Sequence, residues 1–127
     1  MNKVTTKPIL LSVIELGGYP NFAPIYESAG YEVVSAVSVR RALGAIKQRA
    51  PDAIVAEFNF QSDFRDRTSS LESLLAAVQR NKNTRVVVFY ETEHAHQLER
   101  LQARFPTVQA LPFPIDEKRL AEYLAMG

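Results

Sequence analysis

The chain has 127 residues, 46% of them hydrophobic, which is enough to bury a core without disulfides or metals. We therefore expect a single domain over residues 1–127, with its core at about residues 8–126. No cysteine is present, which excludes disulfides and thiolate metal sites, and a formal net charge of +1 gives no general attraction to nucleic acid or to an anionic membrane.

The amino-terminal segment carries Lys3 and Lys7 and continues into an apolar run over residues 9–14. This run is too short for the hydrophobic core of a signal peptide or for a membrane span. We therefore expect a cytoplasmic protein with no membrane contact.

Five short apolar runs predict five strands. They are nearly continuous rather than alternating, which is typical of strands buried on both faces of a parallel sheet. The runs cover residues 9–14, 31–37, 53–58, 85–90 and 108–111.

Between the runs, apolar residues recur every three or four positions, as on one face of a helix. These faces consist of Val39, Ala42, Leu43 and Ile46; of Leu71, Leu74, Leu75 and Val78; of Ala95, Leu98, Leu101 and Phe105; and of Leu120 and Leu124. A first helix must fit between Pro20 and Gly30, and Pro24 limits it to about two turns.

Polar residues before these faces predict where the helices begin. Ser38 is placed to cap the second helix, Thr92 the fourth and Asp116 the last. Ser69, followed by Glu72 three residues later, predicts a capping box for the third helix.

Strands and helices thus alternate along the whole chain. This order predicts an α/β fold, with a parallel sheet covered by helices on both faces and joined by right-handed crossovers. In such sheets, ligands bind beyond the carboxyl ends of the strands. The loops after Ile14, Phe58, Tyr90 and Leu111 are therefore where a site is expected.

Several segments, in order, resemble the receiver (CheY-like) domain of two-component response regulators. They are AGYEVV at residues 29–34, AL at residues 42–43, PDAIVA at residues 51–56 and PIDEKRL at residues 114–120. The resemblance covers almost the whole chain. It implies a flavodoxin-like (βα)5 fold with strand order 2-1-3-4-5 and a cis peptide bond between Phe113 and Pro114.

A working receiver, by this resemblance, has four features at its strand ends. Two acids after the first strand hold Mg²⁺, and an aspartate at the end of the third strand accepts the phosphoryl group. A Thr or Ser ends the fourth strand, and a lysine precedes a proline after the fifth. Phosphoryl transfer needs a carboxylate nucleophile and cations that neutralise charge on the transferring oxygens.

This chain departs from the pattern at each position. The phosphoacceptor position falls on Glu57, the Thr/Ser position on Tyr90, and the lysine position on Phe113, directly before Pro114. Without the lysine, one of the cations that stabilise the transferring group is lost. We therefore expect a degenerate pseudo-receiver with no catalytic residues.

The acid pair is missing as well. It falls on Val13 and Ile14 by ungapped spacing, or on Gly17 and Gly18 if the loop is shifted, and Glu15 is the one carboxylate nearby. Since Mg²⁺ prefers oxygen ligands that include carboxylates, we expect no metal site and no cofactor.

Two positions leave alternatives open. The charge of Glu57 locks the domain in one signalling state, or Glu57 is a polar residue tolerated at a strand end. Phe113 forms an exposed apolar patch with Phe60, Phe89 and Tyr90 that suits a partner, or it folds inward and fills the space left by the metal.

Other polar features are interpreted mainly as solvated surface. His94 and His96, two positions apart, do not face each other on a helix and lack further metal ligands. The polar stretch at residues 59–70 is longer than most βα loops. It is interpreted as solvated, and the alternative is that it closes over the strand ends or contacts a partner. The second helix is predicted to have a basic outer face that is solvated and does not bind nucleic acid. This face consists of Arg40, Arg41, Lys47 and Arg49.

We therefore predict a receiver-like module in a bacterial signalling system that acts through phosphorylation-independent protein–protein interaction and is not an enzyme. The resemblance places the partner face on the fourth helix, fifth strand and fifth helix, between Thr92 and Met126 (residues 92–126). Because the sequence ends at Gly127, soon after the last predicted helix, we expect no attached output domain. Output then needs a signalling protein partner or self-association into a homodimer.

Two alternative functions remain open at this stage. In the first, the chain is a phosphorelay receiver that is phosphorylated at an unusual acid, such as Glu57 or Asp63. Alternatively, it is an α/β domain that binds a nucleotide or another small ligand at the strand ends.

Overall fold

The computed structural model describes residues 7–14, 21–58, 71–79 and 84–125. In these ranges the strands are β1 (Ile9–Val13), β2 (Glu32–Ala36), β3 (Ala53–Glu57), β4 (Arg85–Tyr90) and β5 (Gln109–Pro112). The α-helices are α1 (Ala23–Ser28), α2 (Val39–Gln48), α3 (Leu71–Val78), α4 (Ala95–Arg104) and α5 (Glu117–Leu124). A 3₁₀ turn, Thr92–His94, precedes α4.

The five strands form one parallel sheet in the order β2-β1-β3-β4-β5. The predicted α/β fold and its strand order 2-1-3-4-5 are therefore confirmed. Because all strands run the same way, their last residues meet along one edge, the carboxyl edge, formed by Val13, Ala36, Glu57, Tyr90 and Pro112. Their first residues form the opposite edge, the amino edge: Ile9, Glu32, Ala53, Arg85 and Gln109.

Side chains alternate across the strands, so the sheet buries an apolar cluster on each face. Leu11 and Val13 belong to the larger cluster, which packs against α2, α3 and α4. Leu10 belongs to the other cluster, which packs against α1 and α5. The central strand β3 is buried at every position, which explains its continuous apolar sequence.

Three predictions about the helices are confirmed. The Ser38 hydroxyl oxygen accepts a hydrogen bond from the Arg41 backbone N–H at 3.1 Å. The Asp116 carboxylate accepts hydrogen bonds from the first turn of α5. Helix α1 is short, with Pro24 in its first turn, where a proline costs no intrahelical hydrogen bond. Among the described residues, no helix is long and apolar enough to cross a membrane.

The start of the fourth helix differs from the prediction. Thr92 does not cap α4; it begins the 3₁₀ turn, and α4 begins three residues later, at Ala95. The residue before the helix, His94, makes no capping hydrogen bond with its side chain. The predicted capping box cannot be compared, because Ser69 lies outside the described residues.

The apolar runs overestimate the length of three strands. Tyr31 and Phe58 are buried although each lies just outside its strand. Hydrophobicity reports burial, and burial continues into the connections at the ends of the strands. The fifth strand, by contrast, begins and ends one residue later than predicted, because Val108 is buried before the strand begins.

Candidate functional site

The positions that correspond to a receiver's phosphorylation site lie together at the carboxyl edge. Val13 ends β1 and Ile14 follows it, Glu57 ends the neighbouring strand β3, and Tyr90 ends β4. Phe113 directly follows β5. These positions therefore meet at one edge of the sheet. Glu15, Gly17 and Gly18 lie outside the described residues.

The two acid-pair positions are packed as core. Val13 is only 2% exposed and belongs to the cluster against α2, α3 and α4. Ile14 is half-buried and packs against the cluster on the opposite face. Neither side chain carries an oxygen, so these residues do not fit the Mg²⁺ ion that a working receiver holds.

Glu57 is the one charged side chain that is buried among the described residues, with 9% of its surface exposed. In the register of the sheet it stands opposite Phe89 of β4, and its predecessor Ala56 stands opposite Val13 of β1. A buried carboxylate is costly unless nearby groups compensate it. Its neighbours on the two adjacent strands are apolar, so its surroundings differ from those of a solvated nucleophile.

The side chains at the hydroxyl and lysine positions are aromatic. Tyr90 is half-buried and packs against the larger apolar cluster, and its backbone oxygen accepts a hydrogen bond from the Phe113 N–H at 2.8 Å. Phe113 carries no positive charge to neutralise a transferring phosphoryl group. Among the positions described at this edge, Glu57 is therefore the only one that is charged.

The structure argues against the inward-facing interpretation of Phe113 and leaves its role towards a partner as a prediction. Its side chain is 38% exposed, so it does not fill the interior. The peptide bond between Phe113 and Pro114 is cis, as the resemblance implied. Phe89, expected in an exposed patch with Phe113, is instead buried and makes an edge-to-face contact with Phe22 at 5.6 Å between ring centroids. Phe60 lies outside the described residues.

The predicted partner face contains charges of both signs. On α4, the exposed residues include Glu99 and Arg100, and on α5 they include Lys118 and Arg119. The Arg119 guanidinium donates a hydrogen bond to the Tyr123 hydroxyl at 3.0 Å and lies over its ring. This face therefore combines fixed charges with the exposed apolar surface of Phe113.

The two histidines do not come together with further ligands. His96 is exposed, and its Nδ1 lies 3.7 Å from a Glu99 carboxylate oxygen one turn later. In the described ranges, no group of three or more His, Asp or Glu side chains is placed to hold a metal ion. Arg40, Arg41 and Lys47 of α2 are exposed, and so is Arg49, which directly follows the helix.

Sequence reasoning missed one polar feature close to the candidate site. Ser12 and Ser35 interrupt the apolar runs of β1 and β2, and the register places them side by side. They line a cleft beside α1. The sequence did contain a signal, because each of the first two apolar runs is interrupted by one serine, and these two runs form adjacent strands.

Comparisons with known proteins locate the similarity in the fold. No protein-family model and no curated protein matches the chain significantly. A response regulator receiver domain from Clostridium thermocellum superposes with a TM-score of 0.68 at 15% identity, over 91% of this chain and 90% of that chain. The signal receiver domain of an HD domain-containing protein from Pseudomonas fluorescens gives a TM-score of 0.68 at 14% identity, over 94% and 92%.

A third solved structure agrees with these two. A response regulator protein from Burkholderia multivorans superposes with a TM-score of 0.67 at 21% identity, covering 92% of this chain and 91% of that chain. At such low identities the similarity concerns three-dimensional architecture. With its parallel strand order β2-β1-β3-β4-β5, this chain has the fold of a response regulator receiver domain.

Proposed function

We propose that the chain is a receiver-like module that takes part in signal transduction by binding a signalling protein, independently of phosphorylation and without enzymatic activity. The observation that carries the proposal is the apolar packing of the carboxyl edge, above all the 2% exposure of Val13. A receiver needs carboxylates and a bound cation there. Aliphatic core residues at these positions support a role in which the receiver fold serves for binding.

The fold also suggests which surface binds. In receivers the face of α4, β5 and α5 is the usual partner surface, and here it carries exposed charges and the exposed Phe113 ring. Apolar anchors surrounded by polar residues are typical of interaction sites. We assign the partner to this face, within residues 92–126. Self-association through the same face is the alternative mode of output.

Treatment with acetyl phosphate and Mg²⁺ tests the absence of phosphorylation. We expect an unchanged intact mass and an unchanged melting temperature. Glu57→Gln is the matched variant, since it removes the carboxylate and keeps the size of the side chain. A single phosphoryl adduct on the wild-type chain that disappears in Glu57→Gln would show a phosphorelay receiver with an unusual acceptor and contradict the proposal.

Charge reversal tests the binding face. The wild-type chain, used as bait in extract of its native cell, is compared with Arg100→Glu combined with Lys118→Glu. We expect the double variant to lose a partner that the wild type retains. Lys47→Glu on α2 is the control, because it reverses an exposed charge outside this face. Equal capture by the double variant would place the interaction elsewhere, and sedimentation of each variant reports self-association.

A further inference from the structure

The two edge strands of the sheet, β2 and β5, differ in whether they can accept a further strand. Backbone groups on a parallel strand face its two sides alternately. On β5 the Phe113 N–H donates to the Tyr90 carbonyl oxygen, so the preceding residue, Pro112, faces away from the sheet. Proline has no N–H to donate, and on an edge strand it opposes the addition of another strand. The outer side of β5 is therefore protected.

The outer side of β2 has no such protection. The Glu32 N–H donates to the Pro8 carbonyl oxygen at 2.8 Å, so this residue faces β1. By the same alternation, three residues point a backbone N–H away from the sheet: Val33, Ser35 and, directly after the strand, Val37. Among the described residues, none is hydrogen-bonded to these three N–H groups. They form a row of free donors along the outer side of β2.

This row also carries exposed apolar surface. The Val37 side chain is 66% exposed, the largest exposure of a large hydrophobic residue in the described part of the chain. It lies on the same side of the sheet as the half-buried Val33. In an antiparallel pair of two β2 strands centred on Ser35, Val37 of one copy stands opposite Val33 of the other. Each exposed valine is then covered, and β-branched cross-strand pairs stabilise antiparallel strands.

The charges at the two ends of β2 have opposite signs. Exposed Glu32 begins the strand, and exposed Arg40 and Arg41 lie in the first turn of α2, soon after the strand ends. Glu32 shares the face of Ala36, which packs in the cluster against α2. In the described ranges, none of these three charged side chains forms an ion pair. Antiparallel pairing brings the acidic start of one copy beside the basic end of the other, whereas parallel pairing would join like charges.

From these observations we propose that two copies of this chain associate through the outer sides of β2, antiparallel and about a two-fold axis at Ser35. The two Ser35 residues exchange both backbone hydrogen bonds, and each Val37 N–H donates to the Val33 carbonyl oxygen of the other copy. The two five-stranded sheets become one continuous sheet. A two-fold contact of this kind closes on itself, so association stops at the dimer.

The dimer is compatible with a separate partner surface. Strand β5 lies at the opposite end of the sheet from β2, so the face of α4, β5 and α5 stays free. The inference therefore does not depend on the function proposed above.

Sedimentation equilibrium of the full chain, from micromolar to millimolar concentration, measures the association. We expect a monomer–dimer equilibrium without larger species. By NMR, amide hydrogen exchange of Val33, Ser35 and Val37 should slow at least about tenfold in the concentrated sample. Exchange of Ala110, which faces outward on β5, should not change. A chain that stays monomeric at millimolar concentration, or a dimer in which the three amides exchange as in the monomer, would overturn the proposal.

A proline at the centre of the row tests the backbone pairing. Ser35→Pro removes an N–H that has no partner in the monomer, which an edge strand tolerates, and should weaken dimerisation at least about tenfold. Ala110→Pro makes the same change on the outer side of β5 and should dimerise as the wild type does. Melting temperatures verify that both variants are folded. Unchanged dimerisation of folded Ser35→Pro would exclude β2 as the contact.

Charge exchange tests the antiparallel register without changing the backbone. Glu32→Arg, and separately Arg40→Glu with Arg41→Glu, should each weaken dimerisation about tenfold, because the two-fold axis repeats each like-charge contact. All three substitutions together should restore the affinity to within about threefold of the wild type. Arg100→Glu reverses an exposed charge on α4 and is the control, with unchanged dimerisation. A triple variant that dimerises no better than the other two would contradict the antiparallel pairing.

Discussion

The amino and carboxyl edges of the sheet differ in what their polar groups do. At the amino edge, polar side chains bind the backbone: an Asp52 carboxylate oxygen accepts from the Ile9 N–H at 2.8 Å, and the Thr84 hydroxyl donates to the Pro51 carbonyl oxygen at 2.8 Å. These contacts connect the starts of neighbouring strands. Such hydrogen bonds satisfy backbone groups that the sheet itself leaves without a partner.

At the carboxyl edge, by contrast, the described positions that carry charge in a working receiver are apolar or aromatic, apart from Glu57. Polar groups that connect strands lie at one edge, whereas apolar and aromatic side chains occupy most of the receiver-site positions at the other. This contrast supports the proposal of a receiver-like module that acts without phosphorylation.

The largest effect is expected from a charge placed in the carboxyl edge. Val13→Asp buries an uncompensated carboxylate, which costs about 3–5 kcal/mol of unfolding free energy at neutral pH. Val37→Asp is the matched control at the same edge, and its exposed position predicts a change below about 0.5 kcal/mol. Urea denaturation measures both. Equal stability of the two variants would mean that the end of β1 is solvated like a working receiver site.

An intermediate effect is expected at the amino edge. Tyr31→Phe removes the hydroxyl that donates to Leu124 and leaves a buried carbonyl oxygen without its partner, which costs about 1–2 kcal/mol. Tyr123→Phe removes an exposed hydroxyl bonded to Arg119, and we expect a loss below about 0.5 kcal/mol. Thermal and urea unfolding compare the two. If Tyr31→Phe lost as little unfolding free energy as Tyr123→Phe, the hydrogen bond at the amino edge would not have the structural role assigned to it.

The smallest effect concerns alkaline pH. Burial raises the pKa of both Tyr26 and Tyr31, so the folded chain holds these protons more tightly than the unfolded chain does. Their contribution to stability is complete below the unfolded pKa of about 10 and is lost as pH rises through the folded values. For Tyr26 the slope is at most about 1.4 kcal/mol per pH unit.

Urea unfolding between about pH 9 and about pH 11 measures this slope. Tyr26→Phe should flatten it. A slope that is the same in the wild type and in Tyr26→Phe would show that Tyr26 ionises in the folded state as easily as in the unfolded chain.

Much of the fold was predictable because burial leaves a direct trace in the sequence. The continuous apolar residues of β3 reflect its central position, and Ser38 and Asp116 cap helices as predicted. Thr92 was wrongly predicted as a cap because a 3₁₀ turn separates it from α4. A capping residue type marks the start of a helical segment and does not distinguish a 3₁₀ turn from an α-helix.

The candidate site was predictable only as a set of positions. Alignment with the receiver pattern placed Glu57, Tyr90 and Phe113 at the carboxyl edge, but the direction of each ring depends on packing. Phe89 was expected in an exposed patch with Phe113 and Tyr90 and is instead buried on the face of the sheet opposite Tyr90, because neighbours on a strand alternate. Ser12 and Ser35, which stand side by side on β1 and β2, escaped prediction because a lone serine in an apolar run resembles an ordinary interruption.

The hydrogen bond between Tyr31 and Leu124 joins residues 93 positions apart. During synthesis, Tyr31 leaves the ribosome long before the helix that covers it. Until α5 arrives, the apolar cluster beneath α1, which includes Leu10 and Tyr26, lacks the cover of Leu120 and Leu124. The nascent chain thus exposes the part of this face that α5 covers until the last helix has been translated, and chaperone binding during translation should concentrate there.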